Sequence, residues 1–303
     1  MILVTGATGK TGRQAVAQLL AAGVDVRALV RDPGAASLPD RVEAVRGDLT
    51  DAASVEAAME GVDAVFLIWP LLTADAAPAV IAAAEKHARR IVYLSAWGVP
   101  DDDTVEPKPG ILAFHTAIER AIRASTLQWT FLRAGGFASN TLAWAEQIKE
   151  GDVVRGSHAR ATRSLVHEAD LAAVAVRALT TADLEGKAPH LTGPQALTQA
   201  EQVRTIGDVL GRRVVFEELD EEAAAAALEA EGLPPKYARA IVEAHGQMEA
   251  EPEQVSPAVE EITGRPARTY REWVADHVAD FGCCSNDAPI STRACSNWPA
   301  ART

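Results

Sequence analysis

Residues 2–12 read Ile2-Leu3-Val4-Thr5-Gly6-Ala7-Thr8-Gly9-Lys10-Thr11-Gly12, a short apolar run passing directly into glycines at every third position. The apolar run is strand-like. The following stretch, Lys10–Ala22, places Ala15, Val16, Leu19 and Leu20 on one helical face and is stopped by Gly23, the pattern of an amphipathic helix with a C-terminal glycine. A glycine loop between a first strand and a first helix is where a dinucleotide pyrophosphate binds. There Gly6 permits the tight turn, Gly9 a close backbone approach to phosphate and Gly12 close helix–sheet packing, with the helix N-terminal amides holding the anion. Thr8, Lys10 and Thr11 belong to the same expected cofactor-binding set. Gly9-Lys10-Thr11 imitates the end of a P-loop, but that motif requires a glycine where Val4 stands, which excludes it. A glycine turn without a ligand is the alternative, and it leaves the agreement of strand, loop and helix unexplained.

Outward from this loop, strand-like runs at Val24–Val30, Val42–Val45, Ala64–Ile68, Ile91–Leu94 and Trp129–Leu132 alternate with helical stretches at Asp51–Glu60, Ala76–Ala88 and Ile111–Ala124. Such alternation implies parallel strands with right-handed crossovers, hence an α/β fold with a doubly wound parallel (Rossmann) sheet. Beyond about Gly135 the pattern loosens. A helix is expected over Thr141–Lys149, another over Glu168–Leu179, a last strand at His190–Thr192, and Ala/Glu-rich helices at Asp220–Glu231 and Pro235–Glu249. The expected division is a dinucleotide-binding domain over 1–135, completed by about 164–192. A small, mainly helical substrate cap follows over 136–163 and 193–281, and then a poorly ordered tail over 282–303.

The 303 residues carry 29 Lys+Arg against 42 Asp+Glu, a formal charge of −13. That balance argues against a nucleic-acid partner, which calls for a basic surplus. No run is long enough to span a membrane, since Ala64–Ala74 is short and contains Pro70. The chain opens on its first strand with no signal-like leader, so a cytoplasmic location is expected. The cysteines, Cys283, Cys284 and Cys295, all lie in the tail, and His158, His167 and His190 have no ligand spacing, so neither disulfides nor a metal are expected.

The end of the second strand selects the cofactor. An acid there would bind a ribose hydroxyl; here Leu29-Val30-Arg31-Asp32-Pro33 puts a guanidinium at about that position, favouring the 2′-phosphate of NADP(H) over NAD(H). The alternative leaves Arg31 solvated and gives the ribose to Asp32. Gly47-Asp48-Leu49 would flank the adenine, unless Asp48 only caps the next helix. Trp69, Trp97, Phe137, Asn140 and Trp144 fall near the carboxyl ends of strands, where a flat ligand would bind. Packing is the alternative for each.

Together TGATGKTG, VRALVRDP, GDLTD, YLSAWGV, LRAGGFASN, LTGPQALT and EITGRPARTYREW resemble, in order and over residues 1–281, the NmrA-like branch of the atypical short-chain dehydrogenase/reductases, especially its NAD(P)H:quinone reductases. The resemblance implies cofactor contacts at Gly6, Gly9, Gly12 and Arg31, a run of Ile68, Trp69 and Pro70 along the cofactor, and a catalytic-serine position at Ser95. It also marks a departure. The Tyr-x-x-x-Lys of short-chain dehydrogenases is replaced by Phe114-His115-Thr116-Ala117-Ile118-Glu119. An ordinary ketone needs that pair's proton as its alkoxide forms, whereas a quinone or conjugated enone gives a stabilised anion. The expectation is therefore an NADPH-dependent oxidoreductase acting on a quinone-like or conjugated small molecule, as monomer or homodimer. His115 is the candidate proton donor, alternatively a helix-face histidine paired to Glu119. Ser95 would hydrogen-bond the substrate, or be a plain strand-end residue. Two competing readings are an NADP(H)-binding sensor that catalyses nothing and recognises a protein partner, and a nucleotide-sugar epimerase relative, weakened by the missing tyrosine.

Overall fold

The computed structural model describes residues 1–102, 104–107 and 110–282. The cysteines and nearly all of the expected tail lie outside them. The first half alternates as anticipated: β1 (Ile2–Thr5), α1 (Lys10–Ala21), β2 (Val26–Val30), β3 (Glu43–Arg46), α2 (Ala52–Met59), β4 (Ala64–Leu67), α3 (Ala77–His87), β5 (Arg90–Ala96), α4 (Ile111–Arg123) and β6 (Gln128–Ala134). With β7 (Val153–Gly156), β8 (Thr162–Arg163), α6 (Glu168–Thr180) and β9 (His190–Leu191) in place, and α5 (Ala145–Glu150) preceding β7, the sheet reads β3-β2-β1-β4-β5-β6-β9, every pairing parallel. This is the doubly wound order, with its switch point between β1 and β4.

Burial on both faces explains the composition of the central strands. Leu3, Val65, Leu67, Ile91 and Tyr93 point to the side covered by α2, α3 and α4, while Val4, Phe66, Val92 and Leu132 point to the side of α1 and α6. A strand buried on both sides is apolar throughout rather than alternating. Only the edge strand β3 departs, with exposed Glu43 and Arg46.

The second half contains more structure than its sequence suggested. The expected helix at Thr141–Lys149 starts earlier, as a 3-10 helix over Ala138–Trp144, and continues as α5. Two short pairings were not anticipated, β8 with β10 (Leu197–Thr198) and β7 with β11 (Val215–Glu218). Nor were the helices α7 (Gln199–Leu210), α10 (Ala258–Thr263) and α11 (Tyr270–Asp276), which complete the chain with α8 (Glu221–Ala230) and α9 (Pro235–Ala250). Their centre is a separate core of Ile148, Val154, Leu165, Val203, Ile206 and Trp273. The fully buried Trp273 donates its indole N–H to Glu168 Oε2 at 2.9 Å, tying this core to α6.

Candidate functional site

At the switch point the glycine loop is shaped by contacts that no other residue would permit. Gly6 adopts φ 59°, left-handed, and its carbonyl accepts from Gly9 N at 2.9 Å. A Cβ on Gly12 would lie 2.1 Å from the Gly6 oxygen, backbone against backbone. Gly9 caps α1 without a side chain, so the first-turn amides of the helix point into the cleft with no intrahelical acceptor. Thr8 and Lys10 are exposed beside it, and Thr11 is buried. Lys10 Nζ reaches Ser139 O at 3.3 Å, joining the loop to the 3-10 helix.

Across the cleft, Thr5 Oγ1 accepts from Ile68 N at 2.7 Å and donates to Ile68 O at 2.8 Å, clamping the ends of β1 and β4 together. Sequence reading had passed over Thr5. Ile68 packs on Gly6; Trp69 is buried with its indole N–H on Thr73 O at 2.9 Å; Pro70 is exposed.

At the ends of β2 and β3, Arg31 is exposed. Asp32, the alternative ribose partner, is occupied: its carboxylate accepts from Gly34 N and from Arg46 Nη2, each at 3.2 Å. Arg46 also donates to the backbone oxygen of Arg31 at 3.0 Å, so a second guanidinium is held at this strand end. Asp48 does not cap α2. That role belongs to Asp51, which accepts from Ala53 N and Ser54 N. Asp48 instead binds the N–H and hydroxyl of Thr50, at 2.9 and 2.7 Å, and these bonds, helped by Arg31, hold its carboxyl below the ordinary range. Leu49 is buried beside it.

The carboxyl ends of β5, β6 and β9 bring Ser95, Arg133 and His190 into one row. Ser95 is 3% exposed and donates to Glu119 Oε1 at 2.6 Å. Glu119 is therefore not the partner of His115. It accepts from Arg133 Nε and Nη2 at 3.1 and 2.9 Å and from Arg123 at 3.1 Å. Arg133 continues to Asp101 at 2.5 Å and to Pro100 O at 3.3 Å, fastening the loop after β5. His115 turns instead to Tyr93, Nδ1 to Oη 2.6 Å. Tyr93 was also missed; its place two residues before Ser95 on β5, on the same face, was the available signal. Burial, with Glu119 nearby, pushes the Tyr93 phenol up, and burial pushes His115 down to about 4. At neutral pH this pair is thus a protonated phenol and a neutral imidazole.

The depressed histidine has a consequence for stability. Its folded state favours the neutral form, so its contribution is whole above about pH 6.5, the ordinary histidine value, and is lost as pH falls toward 4. His115→Gln is expected to flatten the decline of melting temperature over that window. An unchanged decline would show that His115 titrates normally.

The remaining pocket candidates are spread around this end of the sheet. Trp97 stacks on His190 with centroids 4.6 Å apart. Phe137 packs against the core on the α1 side, and Asn140 is exposed. Trp144 meets Phe216 edge-on at 6.2 Å, farther into the C-terminal core. Trp129, read as packing, stacks on Phe131 at 4.3 Å. Among the described residues no cluster suits a metal ion, and no helix is long and apolar enough to cross a membrane.

Residues 6–182 match the NAD(P)H-binding family. The chain is 41% identical over 283 residues to (4-alkanoyl-5-oxo-2,5-dihydrofuran-3-yl)methyl phosphate reductase of Streptomyces griseus, covering 93% of this chain and 99% of that protein. It is 33% identical to NAD(P)H azoreductase of Xenophilus azovorans, covering 93% and 99%. Among solved structures it resembles the NADPH-dependent quinone oxidoreductase of Escherichia coli complexed with NADPH, at TM-score 0.74 and 27% identity over 92% of this chain and 100% of that one. The chain belongs to the NAD(P)H-binding family, and its NmrA-like resemblance holds. It is an NAD(P)H-dependent oxidoreductase of the quinone reductase and azoreductase type.

Proposed function

We propose that this member of the NAD(P)H-binding family is an NADPH-dependent reductase of a small conjugated carbonyl compound, a quinone or an unsaturated ring lactone. The observation that carries the reading is the Tyr93–His115 pair, whose histidine belongs to the α4 segment that resembles the Tyr-x-x-x-Lys region without its tyrosine and lysine.

The site fits a dinucleotide: the cradle of Gly6, Gly9 and Gly12 has no room for a side chain at Gly12, and helix amides face the cleft. When bound, the reduced nicotinamide supplies hydride, two electrons with one proton's mass, to the electron-poor carbon or oxygen of the acceptor. The chain's own residues then do three things. The α1 amides, Thr8, Lys10 and Thr11 would hold the pyrophosphate, and Asp48 and Leu49 would flank the adenine. Ile68, Trp69 and Pro70 line the run toward the sheet's carboxyl end. There the His115 tautomer whose Nδ1 accepts from the Tyr93 hydroxyl would present Nε2–H to the acceptor oxygen. A neutral imidazole is a hydrogen-bond donor and a weak acid. It suits an enolate or hydroquinone anion, which takes its proton from water, and would serve a strongly basic alkoxide poorly. Ser95, whose proton is directed to Glu119, would act toward the acceptor only through its lone pairs. Trp97, Phe137, Asn140 and Trp144 form the walls, in a cover built from 136–163 and 193–281 over a nucleotide half of 1–135 and 164–192. The reductase of Streptomyces griseus, whose named substrate is the methyl phosphate of an unsaturated ring lactone, supports the acceptor class.

Arg31, with Arg46 held at the same strand end, would read the 2′-phosphate. Arg31→Ala is expected to weaken NADPH binding about 30-fold, the worth of a charge-assisted contact, while NADH binding changes little. Equal losses would remove Arg31 from phosphate recognition. For the activity, NADPH oxidation is followed with a panel of quinones and butenolides. Tight NADPH binding with no turnover on any of them would overturn the acceptor class.

A further inference from the structure

The part of the site that remains unassigned centres on Arg163, at the end of β8. Its guanidinium lies flat against Gly136, in the loop leaving β6. A Cβ there would fall 2.6 Å from Nε and 2.8 Å from Cζ and Nη2. Nε is shielded from solvent and has no hydrogen-bond partner among the described residues, and among them no carboxylate forms an ion pair with Arg163. The neighbouring acids are committed elsewhere. Glu253 accepts from Gly136 N at 3.3 Å and Ser164 N at 2.7 Å, and Glu249 accepts from Arg160 at 2.9 Å and His158 at 3.1 Å. His245, close enough for Arg163 to act on it, is pushed down to about 4 by burial first, then by the charges of Arg163 and His158. It carries no charge at neutral pH.

A half-buried guanidinium whose Nε has no hydrogen-bond partner, and which has no carboxylate within ion-pair distance among the described residues, is costly to keep. Its position gives the reason. Gly136 is the second residue past the end of β6, and its successor Phe137 packs, as Ile68 does, against the core on the α1 side; Ile68 in turn lies on Gly6 in the nucleotide loop. Three residues past Gly136, Ser139 is held by Lys10. The guanidinium thus stands over the backbone that joins the nucleotide cleft to its cover, on the far side from Arg31. A planar fork lying on a glycine presents its edge to a tetrahedral anion.

We propose that Arg163 is a specificity residue that binds an anionic substituent, a phosphate monoester, on the acceptor itself. This rests on the acceptor reading above but is separable from it. Gly136 is part of the device, because any side chain there would lift the guanidinium off the loop. The neutral His245 adds no competing charge.

The test compares a hydroxymethyl butenolide with its phosphate monoester, each with NADPH. The wild-type protein is expected to favour the phosphate ester about 30-fold in kcat/KM, and Arg163→Gln to reduce that preference to within about threefold, with NADPH affinity and melting temperature unchanged. Arg163→Lys, which keeps charge without the fork, should retain only part. Equal use of both compounds by the wild-type protein, or an unaltered preference in Arg163→Gln, overturns the proposal. So does a loss of NADPH affinity in that variant, which would assign the guanidinium to the cofactor. Should neither compound be reduced, the acceptor reading fails, and calorimetry decides Arg163 alone. The phosphate ester must then bind the NADP-loaded wild-type protein and not the Arg163→Gln variant.

Discussion

Glu119→Leu is expected to destabilise the protein by about 4 kcal/mol, a fall in melting temperature of roughly 10 °C for a chain of this size. The Glu119 side chain is 0% and that of Arg133 1% exposed. The carboxylate takes four donors: Ser95 Oγ, two nitrogens of Arg133 and one of Arg123. Removing it strands the Arg133 guanidinium in the interior with Asp101, an exposed residue of the loop, as its remaining ion-pair partner. The loss measured is mainly the cost of that uncompensated charge rather than the worth of the pair. Two variants separate these quantities. Glu119→Gln, which keeps shape and one acceptor, should lose less. The double variant Glu119→Leu with Arg133→Met removes both charges at similar volume and should recover most of the stability, since a buried pair and an apolar pair often lie close in energy. If the double variant is as unstable as the single one, the network itself and not the stranded charge holds the structure. The same experiment bears on the site, because Ser95 and the loop through Pro100 and Asp101 are fastened by these two side chains.

The network also shows where sequence reading stops. The doubly wound sheet was legible because each central strand is apolar on both faces and the first two helices end at glycines, α1 before Gly23 and α2 before Gly61. These are local signals, and local signals carry over residue by residue. His115 and Glu119, four apart on α4, read as neighbours on one face, and they are. What periodicity cannot supply is the strand lying beneath them. Tyr93 takes the imidazole and Arg133 the carboxylate, from partners 22 and 14 residues away. The same limit applies to Asp32, whose carboxylate is claimed by Arg46 on an adjacent strand. In the second half, some structure was overlooked rather than illegible. Thr198 with Glu201 and Thr269 with Glu272 are capping boxes, visible as Thr-x-x-Glu before apolar runs, and both close reciprocally at the starts of α7 and α11. The two-residue strands β8 and β10 had no such signal, being too short for any period to register. Arg163 sits on one of them, so its meeting with Gly136 follows from tertiary structure alone.

Gly12→Ala is expected to abolish measurable NADPH binding, a loss of about 100-fold or more, and to lower stability by about 2 kcal/mol. The argument is steric. An alanine Cβ would stand 2.1 Å from the Gly6 oxygen and 2.7 Å from its carbonyl carbon. All of these are backbone atoms, with no flexible side chain to yield. Relief requires α1 to move away from the loop or Gly6 to leave its left-handed conformation. Either movement disturbs the turn closed by Gly9 N on Gly6 O, and with it the direction of the first helical amides. Gly9→Ala provides the contrast: its Cβ would lie 3.2 Å from the same oxygen, tight but within reach of a small shift. It should cost little stability and act mainly by obstructing the pyrophosphate. Fluorescence titration with NADPH, alongside thermal melting, distinguishes the two. If Gly12→Ala binds NADPH as the wild-type protein does, the loop does not hold the phosphates, and the cofactor must lie elsewhere on the sheet. A variant that binds poorly while melting normally would instead separate the anion cradle from helix packing, two functions that the single contact between Gly12 and Gly6 now joins.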